Sequence, residues 1–108
     1  MFVVNLGGEG EIPGVLNQQP PFALGPNWLS QSRQTLAGLV AAGLDFLICP
    51  NTAVALPVGC ADEVYTTNVP VDTSHPFYGP GVQSSEVKRI LKSGGRWIRD
   101  GVFYYTKP

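Results

Sequence analysis

The chemistry of this chain concentrates in one stretch, Asn68-Val69-Pro70-Val71-Asp72-Thr73-Ser74-His75-Pro76-Phe77-Tyr78, which holds its single histidine. An imidazole titrates near neutrality, so His75 can take or give a proton as general base or acid. Asp72 or Thr73 stands close enough in sequence to orient it, and Pro76 restricts its backbone to extended conformations. Asn68 adds an amide and Tyr78 a phenol. Metal-independent cleavage beside a ribose 2′-hydroxyl needs a base, an acid and a cation or amide that steadies the charged phosphorane. His75, Asp72, Thr73, Asn68 and Tyr78 supply such a catalytic set, with Arg96 and Arg99 as cations to hold phosphate. The competing reading of His75 is an exposed loop residue without a role.

A second stretch invites a ligand. Gly7-Gly8-Glu9-Gly10-Glu11 follows the apolar run Phe2-Val3-Val4-Asn5-Leu6, which reads as a buried parallel strand. Glycines in the first turn after a strand permit positive φ and close backbone approach to a ligand. Gly7, Gly8 and Glu9 are therefore candidate binding residues, together with Gln18 at the end of the next strand. No metal site is expected, because Glu9 and Glu11 alone make a thin ligand set. Cys49 and Cys60 have no metal-ligand spacing and read as two buried thiols.

The elements that must position these groups follow from pattern. Val15-Leu16-Asn17 reads as a second strand. The seven residues Gly7 to Pro13 are too few for a helical crossover, so the usual first helix is lost or reduced to a turn. Asn27 or Ser30 caps a helix running to about Ala42, with Gly43 as its stop and Leu29, Leu36, Leu39 and Val40 as its apolar stripe. Asp45 to Ile48 is a third strand. Asp62 to Val69 reads as the central strand, followed by the long polar loop of His75. A helix from Glu86 to Leu91, a stop at Gly94-Gly95 and a strand from Arg96 to Arg99 complete a βαβ unit. Asp100-Gly101 favours a two-residue type I′ turn into Val102 to Thr106. Open α/β sheets bind ligands at the carboxyl ends of their strands, where the His75 loop begins.

At 108 residues the chain is one small domain, residues 1–108, with an apolar and charged content typical of globular proteins. No apolar run spans a bilayer. The net charge of −1 hides an asymmetry. Residues 1–83 hold one base and six acids, a net of −5, and residues 84–108 hold six bases and two acids, a net of +4. A basic final quarter suits phosphates, or is a set of solvated faces. Tyr65, Trp97, Tyr104 and Tyr105 either stack on bases or pack in the sheet, the second being commoner.

From Leu56-Pro57, through Ala61-Asp62-Glu63-Val64-Tyr65, to Lys88-Arg89-Ile90-Leu91-Lys92-Ser93-Gly94-Gly95-Arg96, the sequence resembles the second half of class I S-adenosylmethionine (SAM) methyltransferases. The resemblance implies a reduced methyltransferase-like, Rossmann-like α/β fold. It would have a mixed sheet of about six strands, two main helices and a C-terminal antiparallel hairpin. In those enzymes an acid ending the second strand binds the ribose of SAM. Asn17, Gln18 and Gln19 stand there instead, so SAM is not expected to be required.

Val4-Asn5-Leu6-Gly7-Gly8-Glu9-Gly10-Glu11-Ile12-Pro13-Gly14-Val15 resembles the C-terminal tips of bacterial polymorphic toxins, including contact-dependent growth inhibition effectors. That resemblance implies a nuclease, with tRNA the expected substrate and a cognate immunity protein as partner. It also implies delivery from the tip of a secreted or cell-surface toxin into a target-cell cytoplasm. The alternatives are a small SAM-dependent methyltransferase and a catalytically dead methyltransferase-like binding module.

Overall fold

The computed structural model describes residues 1–21, 29, 31–76 and 79–108. The expected caps Asn27 and Ser30, and Tyr78, lie outside the described residues. The elements run β1 (Val3–Leu6), β2 (Leu16–Gln19), α1 (Leu36–Ala41), β3 (Phe46–Ile48), β4 (Ala61–Thr66), β5 (Ser74–His75), β6 (Gly79–Pro80), α2 (Ser84–Ile90), β7 (Leu91–Arg99) and β8 (Val102–Thr106). Six of the strands form one mixed sheet in the order β3-β2-β1-β4-β7-β8. Its first five strands are parallel, and β8 pairs antiparallel to β7. The expected α/β class, six strands, two helices and terminal hairpin are all present.

β1 lies between β2 and β4, so the direction of winding reverses beside it. β1 reaches its parallel neighbour β2 through residues 7–15, which form no helix. Period-two alternation divides the sheet. Val4, Leu6, Val64 and Trp97 pack with Val87 and Ile90 of α2 in the main core. On the other side Leu36 and Leu39 of α1 pack with Phe46 and Ile48 of β3. Trp97 is fully buried and donates its indole N–H to Thr66 Oγ1 at 2.9 Å, so it is core and has no open face for a base.

Both helices are short and are fixed by their ends. Thr35 caps α1, its Oγ1 accepting from Gly38 N at 3.1 Å, and Gly43 ends it at φ +92°. The helix expected from Asn27 or Ser30 starts only at Leu36, because residues 31–35 are turns and irregular backbone. Leu36 and Leu39 keep the expected stripe, Leu29 is buried but precedes the helix, and Val40 is exposed. The caps of α2 come from remote residues. The Asp72 carboxylate accepts from Ser84 N at 2.8 Å and from Ser84 Oγ at 2.5 Å. At the other end Lys107 Nζ donates to the carbonyls of Lys88 at 2.8 Å and Leu91 at 2.7 Å. An anion at the amino end and a cation at the carboxyl end both complement the helix dipole.

Two expectations are corrected. Gly94-Gly95 does not stop a helix: α2 ends at Ile90, and both glycines lie within β7. The register shifts there, from Ala61 opposite Leu91 to Glu63 opposite Arg96, so the glycines carry a bulge. The stretch after β4 is also more than a loop. β4 ends at Thr66, and the described residues 70–76 and 79–82 form an arm containing the antiparallel pair β5 and β6.

Candidate functional site

The arm holds its shape through backbone pairing. Val82 N donates to Pro70 O at 2.9 Å, Asp72 N to Val82 O at 2.9 Å and Gly81 N to Thr73 O at 2.7 Å. Val71 and Val82 anchor its base in the main core. Gly81 is required by close approach: a Cβ there would lie 2.5 Å from Pro70 O and 2.6 Å from Thr73 O. At the arm's outer part, Thr73, Ser74 and His75 are exposed.

The sequence offered Asp72 as an orienter of His75. In the structure its two carboxylate oxygens hold Ser84, joining the arm to the start of α2. The two Ser84 hydrogen bonds are the main reason its carboxyl lies below the ordinary aspartate range, and the nearby charges of Arg99 and Lys88 lower it further. Asn68 adopts φ +53°, and its backbone N–H donates at 2.8 Å to Asp100 Oδ1 in the β7–β8 turn. The loop that starts the arm is thus tied to the hairpin that carries Arg99.

The glycine turn is closed on itself. Gly7 N donates to Gln18 Oε1 at 3.0 Å, Gly8 N to Asn5 O at 3.1 Å, Glu9 N to Glu11 Oε2 at 2.7 Å and Gly10 N to Asn17 Oδ1 at 3.2 Å. Gln19 Nε2 donates to Gly8 O at 2.9 Å. The Glu9 carboxylate accepts from the amides of Gln31 at 3.0 Å and Ser32 at 2.8 Å, steadying the approach to α1. The candidate binding residues Gly7, Gly8, Glu9 and Gln18 therefore direct these hydrogen-bonding groups inward. Anion sites at such turns depend on free backbone donors, and here the four from Gly7 to Gly10 are engaged. Asn5 Nδ2 goes to the Glu11 carboxylate at 2.8 Å, a charge-assisted bond that leaves Asn5 Oδ1 buried without a partner among the described residues.

Gln18 connects the turn to the arm. It is fully buried, accepts from Gly7 N, and donates to Cys49 O at 2.8 Å and Asn51 Oδ1 at 3.0 Å. Asn51 Nδ2 in turn donates to Pro80 O of β6 at 2.9 Å. One chain of amides thus links the ends of β1, β2 and β3 with the arm that bears His75.

The two predicted phosphate holders separate. Arg99 pairs with Thr66 at the carboxyl end of the sheet, and its guanidinium lies 5.0 Å over the Tyr104 ring. Arg96 pairs with Glu63 further back, bonds its carboxylate at 2.9 Å and lies 5.0 Å over Phe103. Arg99 and the arm belong to one region; Arg96 stands apart from it.

Sequence reasoning missed three supports. Arg89 bonds Glu86 at 2.7 and 3.1 Å and the carbonyls of Leu56 at 2.9 Å and Val54 at 2.7 Å, clamping the approach to β4. Lys107 caps α2, and Gly81 closes the arm. The only available signal was a base three residues after an acid in α2. Both cysteines are free thiols, but only Cys49 is buried as expected; Cys60 is half-buried, and that partial burial pushes its thiol up from the ordinary pKa. No group of three or more His, Cys, Asp and Glu residues among those described gathers around a metal position. No helix in the described residues is long and apolar enough to cross a membrane. Comparison with protein-family models, curated proteins and solved structures gives no match.

Proposed function

We propose that this chain is the toxic tip of a contact-dependent growth inhibition-type protein, a metal-independent ribonuclease whose expected substrate is tRNA. A cognate immunity protein neutralises it. The observation that carries this reading is the contrast between the two candidate sites. The glycine turn spends its donors on its own chain, whereas the arm presents exposed His75 and Thr73 at the carboxyl edge, in the region of Arg99. In this reading His75 takes the proton of a ribose 2′-hydroxyl. The 2′-oxygen attacks phosphorus and the bond to the 5′-oxygen breaks. That oxygen takes a proton from water and leaves as a 5′-hydroxyl, His75 returns its proton to the solvent, and a 2′,3′-cyclic phosphate remains. Arg99 faces the charge that builds on the phosphorane. Asp72 acts as a positioning residue by fixing the arm to α2.

A SAM-dependent methyltransferase would need the glycine turn and the end of β2 to receive the cofactor. The inward bonds of Gln18 and Gln19 weigh against that. The test incubates the purified chain with total bacterial RNA, with and without SAM and magnesium. Shortened tRNA on a denaturing gel without either addition supports the nuclease. Intact RNA with methyl transfer from labelled SAM would replace it by the methyltransferase. Intact RNA without transfer would favour the binding module.

A further inference from the structure

We propose that the α2-facing side of β8 is a platform for an unpaired stretch of RNA, built from Tyr104 with Arg99 and Tyr105 with Lys88. The choice of ligand rests on the RNA-cleaving reading above; the platform itself rests on geometry. β8 is an edge strand. Trp97 and Ile98 are adjacent in β7, yet they pair with Tyr105 and Phe103, so Tyr104 is an extra residue in a bulge. Bulges re-aim side chains. Here Tyr104 packs its ring against Trp97 in a T-shaped contact, with centroids 4.8 Å apart and planes at 64°, and stays 57% exposed. Arg99 lies 5.0 Å over that ring, and Lys88 lies 4.8 Å over Tyr105. Arg99 precedes Asp100, whose carboxylate accepts from Asn68 N at 2.8 Å, so the platform lies on the hairpin that is tied to the start of the arm.

Tyr104 is the exposed ring, and Tyr105 beside it is half-buried against the main core. An exposed ring with neighbouring cations takes a base by stacking and backbone phosphates by charge. An unpaired strand can splay a base onto such a ring, whereas a duplex keeps its bases closed. The opposite side of β8 provides an internal control. Phe103 is 67% exposed and also has an arginine over it, but Arg96 is neutralised by Glu63 at 2.9 Å. Comparable aromatic exposure with unequal free charge predicts binding on one side only.

The test is fluorescence anisotropy with a labelled 2′-O-methyl oligonucleotide of about ten residues, within the usual site size of single-strand binders. It cannot be cut by 2′-hydroxyl attack, so binding is read without cleavage. Tyr104→Ala is expected to weaken binding about tenfold, and Tyr104→Phe to leave it near the parent value. Arg99→Gln should weaken binding and reduce the salt slope by about 0.7. Phe103→Ala should change nothing, and a duplex of the same sequence should bind more weakly. Parent-level binding by Tyr104→Ala, or an equal loss from Phe103→Ala, would overturn the proposal. Equal competition by polyaspartate would assign the patch to an acidic protein surface and overturn it too. If Tyr104→Ala fails to melt cooperatively, the Arg99→Gln and Phe103→Ala pair decides. Binding through this platform by a chain that never cuts RNA would sink the nuclease reading and leave the platform standing. Cleavage with unaltered Tyr104→Ala binding would do the reverse.

Discussion

Gln18→Met separates a structural amide from a ligand-binding one. Methionine keeps the length of the side chain but none of its three hydrogen bonds, to Gly7 N, Cys49 O and Asn51 Oδ1. A buried group left unsatisfied costs about 1–3 kcal/mol. Cys49 is buried, while Gly7 and Asn51 are half-buried and can recover part of their bonding from water. The expected loss is therefore about 2–5 kcal/mol, a large share of the ~5–15 kcal/mol that holds a domain of this size. By the usual scaling Tm should fall by roughly 10–25 °C. Gln18→Glu adds a sign. It keeps an acceptor for Gly7 but faces Cys49 O and Asn51 Oδ1 with no donor, so burial and repulsion raise its pKa. Protonation restores one donor, so the deficit of the Glu variant against the parent should shrink as pH falls from 7 towards 5. Urea and thermal denaturation measure both effects. A Gln18→Met protein within about 0.5 kcal/mol of the parent, the range of an ordinary surface change, would refute the reasoning. Loss of a ligand with unchanged Tm would return Gln18 to the binding residues.

Gly81→Ala should dislodge the arm, because its Cβ meets Pro70 O and Thr73 O; a stability loss of about 1–3 kcal/mol and reduced cleavage are expected, checked by melting and a tRNA gel. Arg89→Lys keeps the charge but one nitrogen cannot reproduce the fork on Glu86, Leu56 and Val54, so urea unfolding should show about 1–3 kcal/mol lost. Arg89 holds Glu86 below the ordinary carboxylate range of about 4.3. Its contribution is full above that range and is lost as pH falls towards the lowered value. Glu86→Gln should therefore flatten the fall of stability in an acid titration followed by circular dichroism, and an unchanged acid limb would contradict this.

Particular residues show what the sequence made legible. The apolar run at Phe2 to Leu6, the alternation around Val64 and the Asp100-Gly101 turn are local signals, and the observed strands agree with them to within a few residues. The positive φ of both Asp100 and Gly101 fits the primed turn expected there. Gly94-Gly95 misled because a double glycine suits a helix stop and a strand bulge equally. The arm was hidden because its paired strands, Ser74–His75 and Gly79–Pro80, are two residues long and include glycine and proline, which have little strand character. At the site, His75 and Arg99 were visible as residue types. The capping of α2 by Asp72 and Lys107 was not, since those bonds reach across 12 and 16 to 19 residues. Amides at the end of a strand signalled a missing ribose acid; only the folded chain shows them bonded to the glycine turn.

The central claim is that the arm cuts RNA through His75. The most direct measurement compares the parent chain with His75→Ala on purified tRNA, with no added metal or SAM, alongside the Tm of each. The expected result is cleavage by the parent, loss of cleavage by about 10²-fold or more in the variant, and Tm values within a few degrees, because the side chain is exposed. Undiminished cleavage by a folded His75→Ala protein would contradict the claim and remove His75 from the site.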